Sequence, residues 1–546
     1  MRGKYLITFL VAVTVGVLTG AARDQWVISD KAYDVDTLIY PHLVGPGVTS
    51  AKFDIPALPL KVCVTEMDLT NPYIVMETCM GGDQSWGVET PPHMVTRKTR
   101  SGHEVVAAVN GDFFKTSPLS EIGIPLSGQV SNGELLESTH NVACLVMDSN
   151  HRPHIDRLRF SGQITHGDDV FTLNLVNRLR FYNEDIASNL SVLFTPSFGS
   201  WTYFGSSTGK MVLLSPAEGA FRWKPNGIEQ CVVDTVFDAK GMTTIPQGKA
   251  ILWLKGTYAE HAATMQVGDQ LSVSFSLSFK NEPGDVEIQE LIGSSNDIIM
   301  QNGVLKEDWQ ELHPRTAIGF NADTTRLYFV VVDGRQDSSI GATLKDMMGI
   351  FVALGAANAI NMDGGGSSCM VVNGDVINQP SDGSIRPVGN GCLVVSTAPA
   401  DDQISIIGFE PRCYSLTVTM TASFGVWGYN QYGVLRSRNL QGCTFTCDPQ
   451  VGTFDDTGMF QAAAKPASGN LYVTYNGITA TQPVTIKKLH IKGDVNDDDK
   501  VDIDDVITLI DFMLGTASSP SIADVNSDGR VNIDDITELI DLILEK

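Results

Sequence analysis

Basic residues are scarce in this 546-residue chain: 38 Lys and Arg stand against 63 Asp and Glu, a formal net charge of −25. Such an excess of carboxylates repels a phosphate backbone, which excludes general nucleic-acid binding, although one local basic site can still hold an anion. Cysteine is sparse as well. Nine residues (Cys63, Cys79, Cys144, Cys231, Cys369, Cys392, Cys413, Cys443 and Cys447) spread over so long a chain are not the disulfide scaffold of a small secreted domain. Their odd number leaves at least one thiol unpaired, and the single short spacing, Cys443 to Cys447, lacks the second pair or clustered His of a zinc site. Beyond the N-terminus no segment is apolar for long enough to span a bilayer. With 43% hydrophobic and 18% charged residues the chain is neither disordered nor collagen-like, and its length predicts about three to five domains.

The N-terminus carries Arg2 and Lys4, an apolar run from Tyr5 to Leu18, and the small residues Gly20, Ala21 and Ala22. This is the pattern of a secretory signal peptide over residues 1–22, and no Cys follows it as a lipoprotein anchor would require. A secreted protein, extracellular or in a cell-surface complex, with no transmembrane segment, is expected.

The acidity has a location. Residues 492–546 hold 15 Asp and Glu against 4 Lys and Arg, a net of −11 that leaves −14 for the rest of the chain. Within them DVNDDDKVDIDD (494–505) and DVNSDGRVNIDD (524–535) repeat at an offset of 30 residues. Oxygen-bearing side chains occupy loop positions 1, 3, 5, 9 and 12: Asp494, Asn496, Asp498, Asp502 and Asp505, then Asp524, Asn526, Asp528, Asn532 and Asp535. Alternate positions on a tight loop can turn inward together and supply the hard oxygen ligands that calcium takes. Each loop runs into an amphipathic segment, VITLIDFML (506–514) and ITELIDLIL (536–544), with apolar residues at helical spacing.

Two such loops, each ending in Asp and lacking a helix before it, resemble the type I dockerin module. That resemblance implies a small α-helical domain over 492–546 holding two calcium ions, with a cohesin domain on a scaffold protein as partner. Asp499 stands where the pattern has Gly, and Ile503-Asp504 and Ile533-Asp534 occupy the positions where partner choice is often read.

Between the linker-like STAPADDQ (396–403) and Lys487 come short β-type runs, SLTVTMTASF (415–424) and NLYVTYNG (470–477), cut by Gly, Asp and Asn. They predict an antiparallel Ig-like β-sandwich over 403–487. It is similar to the bacterial modules that separate catalytic from attachment domains, so a spacer is the expected role, with Trp427 or Tyr429 as carbohydrate contacts the other reading.

The chemistry is expected in residues 24–395, a mixed β-rich region that places the chain in the α+β class. LSVSFSLSF (271–279) alternates as a half-buried strand does. RLYFVVVDGR from Arg326 reads as a strand buried on both faces and ending at Asp333. Thr343 and Asp346 form a capping-box-like helix start, Gly355 can close the helix, and a second short strand ends at Asp363. If the two strands are parallel, the helix is their crossover and a βαβ-like unit brings Asp333, Arg335 and Asp363 to one sheet edge. Gly364, Gly365 and Gly366 let backbone N–H groups turn toward an anion, Ser367 and Ser368 add hydroxyl donors, and Arg315 and Arg335 can hold phosphate oxygens in bidentate fashion. No Lys follows the glycines as in an ATP-binding loop, and no G-x-S-x-G surrounds Ser367. VNGDFF (109–114) ends an apolar strand in Asn110 and Asp112, whereas the second VNGD (372–375) reads as an ordinary hairpin turn.

In that order VNGDFF, RTAIG, VVDGR and the helix leading to MDGGGSS resemble the phosphodiester glycosidase family typified by the uncovering enzyme of lysosomal targeting. The resemblance implies hydrolysis of a sugar 1-phosphodiester of the N-acetylglucosamine-1-phospho type at the anomeric C–O bond. Phosphate is already a weak base and needs electrostatic hold more than protonation. Asp363 is the first candidate to activate water or attack the anomeric carbon, with Asp112 and Asp333 next. Asn110, Arg315, Arg335, Gly364, Gly365, Ser367 and Ser368 fall on the shared motifs as substrate-binding residues. The substrate is a phosphate-linked glycan, and no organic cofactor is expected. Two further classes compete: a phosphodiesterase cleaving P–O with a metal held by Asp112, Asp333 and Asp363, and a non-catalytic phosphoglycan-binding protein.

Overall fold

The computed structural model describes residues 24–546 apart from 119–120, 182–183, 204–207, 240, 282–285, 295–296, 308, 411–414, 490, 499, 516–522, 527–530 and 545–546. The expected signal peptide, Cys413, Asp499 and Asp528 lie outside the described residues. Two compact units result. One comprises residues up to 402 together with 430–435, the other 403–429 and 436–546. Among the described residues no helix is long and apolar enough to cross a membrane.

The larger unit is built on three main sheets. A nine-stranded antiparallel sheet has Arg326–Val332 near its middle, between Leu60–Asp68 and Arg315–Phe320. Its continuous apolar sequence follows from burial on both faces. Leu327, Phe329 and Val331 enter one core, while Tyr328, Val330 and Val332 enter the other. The helix Leu344–Ala353 packs Leu344, Met347, Ile350 and Phe351 into that second core. Thr343 caps it by a reciprocal pair of hydrogen bonds with Asp346, and Gly355 ends it at φ +87°.

The strands on either side of this helix do run in the same direction, but they do not pair with each other. Arg326–Val332 and Asn358–Asn361 are both antiparallel to Arg315–Phe320, which lies between them. The RTAIG strand carries no local signal of this insertion, because its pairing is non-local.

The second sheet has twelve strands and nearly closes on itself. Its terminal strands, Leu175–Val176 and Glu134–Glu137, are bridged by Ser138, whose N–H donates to Val176 O at 3.3 Å and whose Oγ accepts from Val176 N at 3.0 Å. Gln270–Phe279 alternates buried and outward residues as its sequence predicts, and Leu271, Val273, Phe275 and Leu277 fill the interior. A five-stranded sheet carries Glu104–Asn110 at its centre, flanked by Asn390–Ser396 and Met370–Val372. Side chains from all three sheets, among them Val109, Leu145 and Phe329, meet in one apolar core.

Of the second unit, residues 403–429 and 436–487 build three small sheets around Phe409, Phe424, Phe460, Leu471 and Val484. The run 415–424 is split into Ser415–Thr417 and Thr421–Ser423 by Thr419 at φ +60°. Two C-terminal helices follow, Ile503–Met513 and Ile533–Leu544. They begin three residues earlier than the apolar periodicity suggests. Asp502 at loop position 9 is the N-cap, in a reciprocal capping box with Asp505. Leu509 and Leu539 are buried together with Val495 and Val525.

Because Phe329 is closed in by side chains from three sheets, Phe329→Ala should leave a cavity that the strands cannot collapse around. The expected cost is about 3–5 kcal/mol, read as a lowered denaturation midpoint of the larger unit by intrinsic fluorescence.

Candidate active site

The site forms where the five-stranded and nine-stranded sheets end side by side. Glu104–Asn110 finishes in Asn110, a fully buried amide with three separate partners. Its Nδ2 donates to Asp363 O at 2.6 Å, and its Oδ1 accepts from Thr316 Oγ1 at 2.7 Å and from Cys369 N at 3.1 Å. Gly111 follows and is bound to both flanks: its N–H donates to Asn390 O and its carbonyl accepts from Asp363 N at 2.9 Å. A Cβ on Gly111 would lie 2.5 Å from Asn390 Oδ1 and 2.5 Å from Ile292 Cδ1, so close approach requires glycine here. The other VNGD is a true hairpin turn, with Asn373 and Gly374 at φ +50° and +87°.

Past Asp363 the chain makes a tight 3-10 turn over Gly365–Ser367. Gly365 stands at φ +61° and donates to Pro314 O at 2.9 Å. The Arg335 guanidinium covers the turn, since a Cβ on Gly365 would lie 3.0 Å from its Nη2, which also donates to His313 Nδ1 at 3.5 Å. On the other side Arg386 donates to Ser367 Oγ at 3.3 Å and is paired with Asp382 at 2.6 Å. The arrangement gathers two guanidinium groups, a glycine turn and the Asp363 carboxyl.

Asp112 lies beside them, also buried. Its N–H donates to Asn390 Oδ1 at 2.8 Å, and its Oδ2 accepts from Ser127 N at 2.8 Å. Its Oδ1 is buried and has no hydrogen-bond partner among the described residues. Burial pushes this carboxyl up to about 7, against the Ser127 hydrogen bonds and the Arg178 charge, and the nearby Asp363 charge pushes the same way as burial. Burial likewise raises Asp363 to about 6, opposed by the Ser367 hydroxyl, Arg386 and the Gly364 N–H. Two carboxyls that titrate near neutrality, close enough to sense each other, suit acid and base roles.

Two of the sequence candidates are occupied elsewhere. Arg315 is buried, and its guanidinium donates to the carbonyls of Ala342 at 3.0 Å and Glu311 at 2.9 Å. Asp333 accepts through Oδ1 from Asn378 Nδ2 and Gln379 N, which ties down the segment behind Ser368, whose carbonyl accepts from the same Asn378 amide. Several residues that complete the site carry no motif: Asn390, His313, Arg386 and, beneath Asp112, Ser127 and Arg178; Thr316 lies inside RTAIG, next to Arg315. Asn390 sits in an Asn-Gly pair that reads as a turn, and Arg386 is a lone cation in sequence. Only folding brings them here.

In the second unit the C-terminal loops present oxygen donors. Asp494, Asp505 and Asp535 are buried. Asp505 accepts from Asn496 N and Asp502 N at 3.0 and 2.8 Å, and Asp535 accepts from Asn526 N and Asn532 N at 3.1 and 2.8 Å. The same pair of hydrogen bonds to the last Asp is thus repeated in both loops, and an all-oxygen donor set fits calcium rather than a softer metal. Among the described residues no group of three or more His, Cys, Asp or Glu side chains is placed to hold a metal ion.

The raised Asp112 has a pH consequence. A carboxyl whose native pKa lies above its unfolded value of 3.8 stabilises the fold below that value, and the contribution is lost as pH rises through about 7. Asp112→Asn cannot ionise. Its stability relative to wild type should therefore improve between pH 4 and pH 8, measured by urea unfolding at both. Parallel pH dependence of the two proteins would contradict the buried-carboxyl assignment.

Residues 226–395 match the family model "Phosphodiester glycosidase", and residues 492–544 match "Dockerin type I domain". A curated relative, the SPbeta prophage-derived uncharacterized protein YomE of Bacillus subtilis (strain 168), is 47% identical over 97 residues, 17% of this chain and 15% of its own length. Among solved structures, a hypothetical protein from Synechocystis superposes with a TM-score of 0.50 at 18% identity over 64% of this chain and 62% of that one, which indicates a shared fold. The zebrafish N-acetylglucosamine-1-phosphodiester alpha-N-acetylglucosaminidase catalytic domain gives a TM-score of 0.30 at 14% identity over 66% of this chain and 82% of that one. The chain thus carries a phosphodiester-glycosidase-like domain, matched over residues 226–395, and a C-terminal dockerin domain, matched over residues 492–544.

Proposed function

We propose that residues 24–395 hydrolyse a sugar 1-phosphodiester, of the N-acetylglucosamine-1-phospho type, to free sugar and phosphomonoester. The observation that carries this reading is the meeting of Asp112 and Asp363 with the Gly365–Ser367 turn and the guanidinium groups of Arg335 and Arg386. Arg335 and Arg386 hold the phosphodiester and stabilise the charge that develops on the departing phosphate, whereas the N–H groups of Gly364, Gly365, Ser367 and Ser368 are bonded within the protein. Asp363, ionised above about pH 6, activates water or attacks the anomeric carbon. Asp112, still partly protonated near neutrality, offers a hydrogen bond from Oδ1 to the reacting region. Asp333 is assigned to shaping the site through residues 378–379, and Arg315 to bracing the 311–315 segment, rather than to direct contact.

The remaining assignments complete the organisation. Residues 1–22 direct export, 403–487 form an Ig-like spacer, and 492–546 attach the enzyme to a cohesin on a scaffold protein. Asp494, Asn496, Asp498, Asp502 and Asp505, and Asp524, Asn526, Asp528, Asn532 and Asp535, would hold two calcium ions. Bound calcium would neutralise the gathered carboxylates and allow each loop to fold.

Hydrolysis of methyl N-acetylglucosamine 1-phosphodiester in oxygen-18 water tests the reaction. Label is expected in the sugar; label in the phosphate would indicate P–O cleavage, and absence of turnover a binding protein. Asp363→Asn should lower kcat by about 1,000-fold or more, as loss of a nucleophile or base does, with an unfolding midpoint no lower than that of wild type; near-normal turnover would remove Asp363 from its role. For the C-terminal domain, chelation by EGTA should expose residues 492–544 to protease and abolish capture by an immobilised cohesin. Protease resistance unchanged in EGTA would contradict the calcium assignment.

A further inference from the structure

Arg178 is the most buried cation among the described residues of the larger unit, 1% exposed, and its segment 173–181 lies outside the family-matched residues. The local sequence explains how it arrives there. Asn177 sits at φ +54°, and its side chain is pinned by Leu136 O, Thr195 Oγ1 and Thr195 N at 2.7, 2.9 and 2.8 Å. Arg178 thereby turns inward beside the seam where the twelve-stranded sheet closes. There its guanidinium donates to three consecutive carbonyls, Pro125 O at 3.0 Å, Leu126 O at 3.2 Å and Ser127 O, while pairing with Glu137 at 2.8 Å and lying 4.6 Å from the Phe181 ring centroid.

The guanidinium, with donors on two nitrogens set in one plane, meets three adjacent carbonyls and the Glu137 carboxylate at once. The clamped residue is the one that matters. Ser127 donates its N–H to Asp112 Oδ2, and it has no room to move toward the opposite strand, since a Cβ on Gly293 would lie 1.9 Å from Ser127 Cβ. With Asp112 held by Ser127 on one oxygen and by Asn390 at its main chain, the other oxygen, Oδ1, is left buried without a partner among the described residues. An unpaired buried acceptor costs about 1–3 kcal/mol, which is sustained where a ligand completes it.

We propose that Arg178 is a positioning residue of the active site: by clamping the Pro125–Ser127 carbonyls it fixes the Ser127 N–H and so aims Asp112 Oδ1 at the substrate. This rests on the proposed reading of the site as hydrolytic. Arg178 touches no reacting atom. Its effect falls on the chemical step rather than on substrate binding, which belongs to Arg335 and Arg386.

Arg178→Lys in the full chain keeps the charge and removes the fork. Hydrogen exchange of the peptide covering residues 124–128 should become about 10-fold faster while exchange elsewhere stays as in wild type. On methyl N-acetylglucosamine 1-phosphodiester, kcat should fall about 10- to 100-fold with KM within about two-fold. Unchanged exchange in 124–128, or raised exchange with an unchanged kcat, overturns the assignment. Should Arg178→Lys not fold, Arg178→Met combined with Glu137→Met leaves no buried charge unpaired and carries the same comparison. If wild type turns over no sugar 1-phosphodiester, the hydrolytic reading falls separately, and the exchange measurement alone decides whether Arg178 fixes Ser127.

Discussion

The side chain of Asn110 is the tie on which the site depends. One amide, excluded from water, joins the end of the five-stranded sheet to Asp363, to Thr316 on the nine-stranded sheet, and to Cys369 beyond the glycine turn. Each bond contributes only about 0.5–1.5 kcal/mol net, but a buried amide left unpaired costs more than it gains when paired. The three partners are therefore held together or not at all. Gly111 reinforces the tie through main-chain bonds to Asn390 and Asp363, so Asp112 and Asp363 are set by backbone geometry before their charges matter.

Their charges are then set by the core. Val109, Met362, Ile292 and Phe329 belong to the same apolar cluster, and carboxyls at its edge lose hydration that only specific donors can replace. Asp363 has Ser367, Arg386 and the Gly364 N–H, and burial moves it to about 6; Asp112 has chiefly Ser127 and a more distant Arg178, and reaches about 7. Asp112 is the more deeply buried of the two and also feels the Asp363 charge, which pushes it in the same direction as burial. The surrounding surface carries excess negative charge, yet the turn is flanked by Arg335, Arg386 and His313. Arg386 already has Asp382 as an exposed partner, a pairing that contributes about 0–1 kcal/mol. Exchanging it for a phosphate oxygen would cost little.

Much of this was legible in the sequence where a local rule sufficed. Strict alternation marks Gln270–Phe279, a doubly buried strand explains RLYFVVV, and Thr343 with Asp346 announces the helix start. The dockerin register was readable because oxygen donors recur at fixed loop positions, although the helices begin earlier, the first of them at the N-cap that Asp502 supplies at position 9. Non-local pairing was not legible. Nothing in RTAIG says that it inserts between two parallel-running strands, and nothing in LVNRLRF says that its first arginine is buried at a sheet seam. The two copies of VNGD show the limit most plainly: one is a hairpin turn of left-handed residues, while the other is extended into a crowded junction, and the difference lies in Asn390 and Ile292, far away in the chain.

The glycine triplet shows how structure changes the weight of a weak motif. Three glycines after a strand are most often an unremarkable loop, and a lone Arg386 is most often a surface cation. Here the two account for each other. A Cβ on Gly366 would lie 2.1 Å from Asp382 Oδ2 and 2.2 Å from Arg386 Nη2, so the absence of a side chain is what admits the Arg386–Asp382 pair to the turn. Gly365 answers a different demand, its φ of +61° and the Arg335 guanidinium above it. Adjacent glycines thus meet independent constraints, and both constraints bring an arginine onto the same turn. A loop that was glycine-rich only for flexibility would show neither, which is why the turn reads as a fixed element rather than as a hinge.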